Sequence, residues 1–103
     1  MATIDRVLSA LASPVRREAM RLLEAGDELC LCDFMKRLGI AQPNMSRHMS
    51  TLRAAGLVTD RRDAQWVRYR VNADLPSALS AVVETTLAAP DPEAATLGDR
   101  SAA

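Results

Sequence analysis

Between Gly56 and Asn72 the apolar residues change from a helical spacing to that of a strand, and no other stretch of comparable length does so. The run LVTDRRDAQWVRYRV holds two β-prone segments joined by the turn-forming residues Arg62, Asp63, Ala64 and Gln65. In the second segment Val67, Tyr69 and Val71 alternate with Trp66, Arg68 and Arg70, which predicts a hairpin with arginines on its open side. The chain around it repeats with a helical period. The fold class that follows is mainly α with one small β-hairpin.

The helices can be placed by their stripes and their stop signals. Ile4, Val7, Leu8, Leu11 and Ala12 form one apolar stripe. Ser13 followed by Pro14 reads as an N-cap with proline in the first turn, and Val15, Ala19, Leu22 and Leu23 continue a second helix to Gly26. Leu29 and Leu31 alternate with Cys30 in a short extended piece, after which a third helix runs from about Asp33 to Leu38 and stops at Gly39. Gln42-Pro43 opens a fourth helix with Met45, Met49 and Leu52 on one face, ended by Gly56. Asp74 with Pro76 starts a last helix, apolar at Leu75, Leu79, Val82, Val83 and Leu87, up to Pro90.

A chain of 103 residues, 49% of them hydrophobic, can bury one modest core. We therefore expect a single domain over residues 1–89, followed at 90–103 by a disordered tail in which Leu97 is the only large apolar residue. No apolar run approaches the roughly 18 residues of a membrane span, and the first residues lack a basic and then apolar leader. The expectation is a cytoplasmic protein with no membrane partner. Its two cysteines are then better read as free thiols than as a structural disulfide.

The formal net charge is zero, but the charges are segregated. From Lys36 to Arg70 eight basic residues stand against two acidic ones. Because screening confines each charge to about 10 Å, such a third can still neutralise phosphates locally. It contains two short helices separated by a tight turn, then the hairpin, which is the order of a winged helix-turn-helix. The second of those helices must pack on the domain with one face and enter a major groove with the other. Its outer face fits, being small, polar and singly basic. Arg47 can pair with guanine, Gln42 and Asn44 can address adenine, and Ser46 and Ser50 suit base or phosphate contacts. Arg61, Arg62 and Arg68 of the hairpin can neutralise phosphates. Double-stranded operator DNA is the expected partner.

The stretch ELCLCDFMKRLGIAQPNMSRHMSTLRAAGLVTDRRDAQWVRYRV resembles the core of the ArsR family of winged-helix metalloregulators, with QPNMSRHMSTLRAAGLV and WVRYRV as its most specific parts. The likeness covers about residues 3 to 88. It implies a bacterial repressor that leaves DNA when a metal or metalloid binds. It also implies a homodimer built by the first and last helices, which are apolar enough to need a partner surface. In the arsenic-sensing branch the stretch matching Cys30 to Met35 reads C-x-C-x-x-C. This chain has Cys30 and Cys32 but methionine at position 35. Soft thiolates select soft ions, so As(III) or Sb(III) is the expected inducer, held by Cys30 and Cys32, with the third ligand a water, a small thiol or a partner group.

Met35 lies on the stripe Leu31, Phe34, Leu38 and is expected to fill core, while His48 is expected to pack and bond to backbone rather than to hold metal. The last helix has no His or Cys for a zinc site. A thiol enzyme would need C-x-x-C on a βαβ pattern, and neither is present, so no catalytic residue and no catalytic cofactor are expected. The rival reading keeps the DNA binding and makes the two thiols a redox switch.

Overall fold

A computed structural model of the chain describes residues 2–97. Its elements are α1 (Ile4–Ala10), α2 (Pro14–Ala25), β1 (Leu29–Cys30), α3 (Leu31–Leu38), α4 (Gln42–Ala54), β2 (Val58–Asp63), β3 (Trp66–Val71), α5 (Ser77–Ala88) and α6 (Pro92–Ala95). Capping sets several of these limits. The Ser13 hydroxyl accepts from the Arg16 N–H at 3.3 Å with Pro14 in the first turn, and Thr3 does the same for α1 through the Arg6 N–H. Gly39 ends α3 in the left-handed conformation, at φ 67°. Gly56 stands at φ 80°, and a Cβ there would meet the Ala2 Cβ at 2.9 Å, so a side chain is excluded on both counts.

The core is a single apolar cluster with no buried polar or charged side chain among the described residues. Val7, Ala19, Phe34, Met45, Met49, Leu52 and Leu57 are all 0% exposed. Phe34 meets Tyr69 edge to face with ring centroids 6.2 Å apart, which locks α3 onto the sheet. Among the described residues no helix is long and apolar enough to cross a membrane.

Four details differ from the sequence reading. The extended piece before α3 is a strand of the hairpin's own sheet, which has the order β1-β3-β2 and pairs Leu29 with Tyr69 and Cys30 with Arg68. The turn is tighter than expected. Asp63 pairs with Trp66, leaving only Ala64 and Gln65 in the loop, with Ala64 at φ 56°. Helix α3 starts at Leu31 rather than near Asp33, because the Asp33 carboxylate reaches back to accept the Cys30 N–H at 3.0 Å. Helix α5 starts at Ser77 rather than at Asp74, whose N–H is instead held by the Asn72 side chain at 3.0 Å.

The largest correction concerns the expected disordered tail from Pro90. Asp91 accepts from Arg17 at 2.6 and 3.0 Å and from Arg21 at 3.0 Å, and also caps α6 through the Ala94 N–H. Ala94 and Leu97 are 3% and 6% exposed. The segment as far as Leu97 is thus a strap on α2, and two arginines across the fold supply what its composition lacks. The rest of the expected tail, 98–103, lies outside the described residues.

Candidate nucleic-acid interface and thiol site

Helix α4 presents the two faces required of it. Met45, Met49 and Leu52 are buried, while Gln42, Asn44, Arg47 and Ser50 are exposed and Ser46 is half-buried. The Arg47 guanidinium donates to the Asn44 carbonyl one turn earlier, so these two groups are partnered with each other in the free protein. Ala41 at the N-cap supplies no side-chain bond, which leaves the first N–H groups of α4 open.

His48 sits where the two faces meet, and its environment was not legible in the sequence. Its Nδ1 lies 3.1 Å from Arg16 Nη1, so a side chain of α2 is its partner rather than the expected backbone group. The same arginine donates to the carbonyls of Ala10 at 2.6 Å and Ser9 at 3.3 Å, tying α1, α2 and α4 at one point. Burial first, then the positive charges of Arg16 and Arg47, hold the His48 imidazole below its ordinary pKa. It is neutral in this arrangement and accepts.

Two of the four wing arginines are paired, and Arg53 of α4 is paired with the wing. Arg61 makes a two-pronged contact with Glu28 at 2.9 and 2.7 Å, Arg68 meets Asp63 at 3.0 Å, and Arg53 meets Asp60 at 2.8 Å. The Arg61 hydrogen bonds hold the Glu28 carboxyl below its ordinary pKa. Among the described residues no ion pair engages Arg62 or Arg70, both exposed. Sequence reasoning counted the arginines and missed Glu28, which lies 33 residues from its partner. Exposed pairs of this kind are weak, so a phosphate can replace the carboxylate at little expense.

The thiol site straddles two elements. Cys30 is buried at the end of β1, and Cys32 is exposed in the first turn of α3. The expected free thiols are instead joined as a disulfide, which the turn from strand to helix permits by bringing the two Cα atoms to 5.3 Å. Asp33 stands beside them, and the two sulfurs and a carboxylate oxygen lie within 4.8 Å of one another. Both soft donors a thiophilic ion needs are therefore in place once the disulfide is reduced, and the third near donor is a harder oxygen that already holds the Cys30 N–H. Met35 is half-buried and packs against the apolar core.

Comparison with known proteins bears on both halves. The sequence pattern of bacterial regulatory proteins of the arsR family matches residues 13–60. The chain is 40% identical over 89 residues to the arsenic resistance transcriptional regulator ArsR2 of Pseudomonas putida, covering 86% of this chain and 77% of that one. It is 34% identical over 79 residues to the arsenical resistance operon repressor of Escherichia coli, covering 77% and 68%. Among solved structures it is similar to the homodimeric winged helix-turn-helix DNA-binding domain of a possible ArsR-family regulator from Mycobacterium bovis, with a TM-score of 0.67, 24% identity, and 80% and 72% of the two chains covered. The fold expected from the sequence, a winged helix-turn-helix, is the fold found.

Proposed function

We propose that this chain, which belongs to the arsR family of bacterial regulatory proteins, is a dimeric repressor of arsenical resistance genes that leaves its operator when a trivalent metalloid binds Cys30 and Cys32. Helix α4 enters the major groove with Gln42, Asn44, Ser46, Arg47 and Ser50, and the wing lays Arg61, Arg62 and Arg68 on flanking phosphates. The first helix and α5 form the dimer, leaving the exposed Ile4 and Leu8 of α1 for the partner chain.

One observation carries this reading: the cysteine pair spans the junction between the wing sheet and the helix-turn-helix. Cys30 pairs with Arg68 of β3, and Cys32 lies one residue into α3. As(III) or Sb(III), when bound, supplies strong bonds to deprotonated sulfur. The chain's own part is to hold Cys30 Sγ and Cys32 Sγ on one ion, which would tie the end of β1 to the first turn of α3. The pair of Glu28 with Arg61 connects that junction to β2. An effector shifts an equilibrium only by its preference for one form, and a preference of about 3 kcal/mol weakens DNA binding more than a hundredfold.

The disulfide favours a second reading from the same residues. Two thiols that lose two electrons and two protons to a peroxide, which leaves as water, would fix the junction without any metalloid. The test is operator release followed by fluorescence anisotropy with reduced protein, against As(III), Sb(III), Cd(II), Zn(II) and peroxide. The repressor reading expects Cys30→Ser and Cys32→Ser to bind operator normally and to ignore As(III). Release by peroxide alone selects the redox reading, and full induction of both serine variants by As(III) removes the thiol site.

A further inference from the structure

The basic residues counted toward DNA all lie between Lys36 and Arg70, and Arg6 of α1 falls outside that count. The fold nevertheless carries it to α4. Its Nη1 donates to the Ala54 carbonyl at 3.3 Å, which places a cation at the C-terminal end of that helix. The negative end of the helix dipole welcomes it there, so capping is the plainest account of the contact. Capping uses little of the group. A guanidinium carries five N–H donors, and this is the one hydrogen bond from the Arg6 side chain among the described residues, where no ion pair engages it either.

The surroundings of Arg6 continue the outer face of α4. A groove of about 450 Å³ runs between α1 and the end of α4, with Asp5, Arg6 and Ser9 on one wall and Thr51 and Ala54 on the other. Arg47, Thr51 and Ala54 are spaced i, i+4 and i+7, so they share one side of the helix, and all three are exposed. The groove therefore opens on the face that carries Arg47, and Ala54 leaves room for a backbone to approach. Length decides what lies over it. The 13 residues of α4 span about 20 Å, whereas the major groove of DNA is about 12 Å wide. A helix that seats Gln42 to Arg47 on bases thus carries its last turn beyond the groove, over the phosphates at its edge.

We propose that Arg6 is a phosphate contact, so that α1 itself touches operator DNA at the end of α4. This rests on the proposed docking of α4. Ser9 supplies a second hydroxyl donor on the same wall, while the Thr51 hydroxyl is spent on the Arg47 carbonyl at 3.1 Å. Asp5 opposes the contact. Its carboxylate lies in the first turn of α1, where it suits the helix dipole, and it subtracts from the field that Arg6 offers to an anion. In a dimer the contact is made twice. A change in how α1 packs on its partner chain would then reach DNA directly, without passing through α3 or the wing.

The experiment uses the reduced full chain, a fluorescein-labelled duplex that the wild type selects from a random-sequence pool, and a scrambled duplex of the same length. Anisotropy at several salt concentrations gives the slope of log affinity against log salt. Arg6→Ala should make that slope shallower by about 0.9 for each Arg6 engaged, or about 1.8 per dimer, so its deficit should shrink about tenfold between about 50 and about 200 mM salt. The loss should be alike on both duplexes, in contrast to Arg47→Ala, because a phosphate contact carries no sequence information. Arg6→Gln keeps a donor for the Ala54 carbonyl and loses the charge, so it should behave as Arg6→Ala does. Arg6→Lys should keep most of the slope, and Asp5→Asn should raise affinity at low salt. Sedimentation restricts the comparison to variants as dimeric as the wild type, and Arg6→Gln carries the test should Arg6→Ala associate poorly. A wild-type slope in Arg6→Gln overturns the contact and leaves Arg6 a helix cap, with the repressor reading intact. A wild-type chain that selects no duplex sinks that reading and the contact with it.

Discussion

Helix α4 and the β2–β3 wing are the two principal elements we propose to meet DNA, and different forces hold them to the molecule. Met45, Met49 and Leu52 are completely buried, so α4 is fixed by dispersion and apolar burial that salt does not screen. In β2 only Val58 is fully buried, and the strand is steadied by pairs such as Arg61 with Glu28 and Arg53 with Asp60. The element meant to read bases has one position. The element meant to meet phosphates is held by contacts a phosphate can replace. A half-buried charge pair and an exposed one also behave differently, and the arginines of α2 allow that contrast to be drawn.

The largest effect should follow from breaking the apolar side. Met49→Ala removes a fully buried side chain and leaves a cavity under α4, which should lower stability by about 2–5 kcal/mol. Chemical denaturation should show the midpoint falling with little change in slope. A loss below about 1 kcal/mol would mean that α4 is held by something other than its inner face.

Next comes a half-buried charge contact. Arg17 and Asp91 are 17% and 11% exposed, and Asp91→Asn leaves the Arg17 guanidinium without a carboxylate and that of Arg21 with Glu18 alone. We expect a loss of about 2 kcal/mol. The Asp91 carboxyl is held well below its usual pKa, chiefly by the Arg17 hydrogen bond, with burial opposing. A depressed acid gives stability that is complete above the unfolded value and is lost as pH falls toward the folded one. The difference between wild type and Asp91→Asn should therefore be constant from pH 7 to about 5 and shrink below about 4. A difference that grows with acid would break the assignment.

The wing turn offers a smaller effect of opposite sign. Ala64 is held at φ 56°, where its Cβ crowds the following carbonyl, and glycine has no such clash. Ala64→Gly should raise stability by about 0.5–1 kcal/mol in thermal denaturation, and destabilisation would mean that glycine's entropy outweighs the relieved strain.

What could be read without the structure divides along the same line. The inner face of α4, the cap at Ser13 and the stop at Gly39 depend on residues within a few positions of each other, and the helical period exposes them. Contacts made by charge across the fold have no period. Glu28 lies 33 residues from Arg61 and Asp91 lies 74 from Arg17, so the wing looked freely basic and the strap looked disordered. The β1 strand was too short to announce a partner in β3. Cys30 and Cys32 were legible as a candidate site because they are neighbours. Their joining depended on a turn geometry that the alternation of Leu29 and Leu31 did not convey.

The smallest effect on folding, and the most informative about DNA, belongs to Glu28. Its pair with Arg61 is exposed, so Glu28→Gln should leave the denaturation midpoint unmoved within error. Binding should change. In the wild type Arg61 meets a phosphate only by giving up Glu28, while in the variant it is free from the start and one negative charge near the wing is gone. Operator affinity at low salt should rise, and the slope of log affinity against log salt should steepen by up to about 0.9 for each phosphate newly neutralised. Arg61→Ala should make that slope shallower, and the double variant should match Arg61→Ala alone. Glu28 also lies two residues before Cys30, so Glu28→Gln should weaken the transmission of As(III) binding to β2 and require more inducer for the same release. A variant with wild-type slope and wild-type induction would show that the wing arginine neither meets DNA nor connects the thiol junction to it.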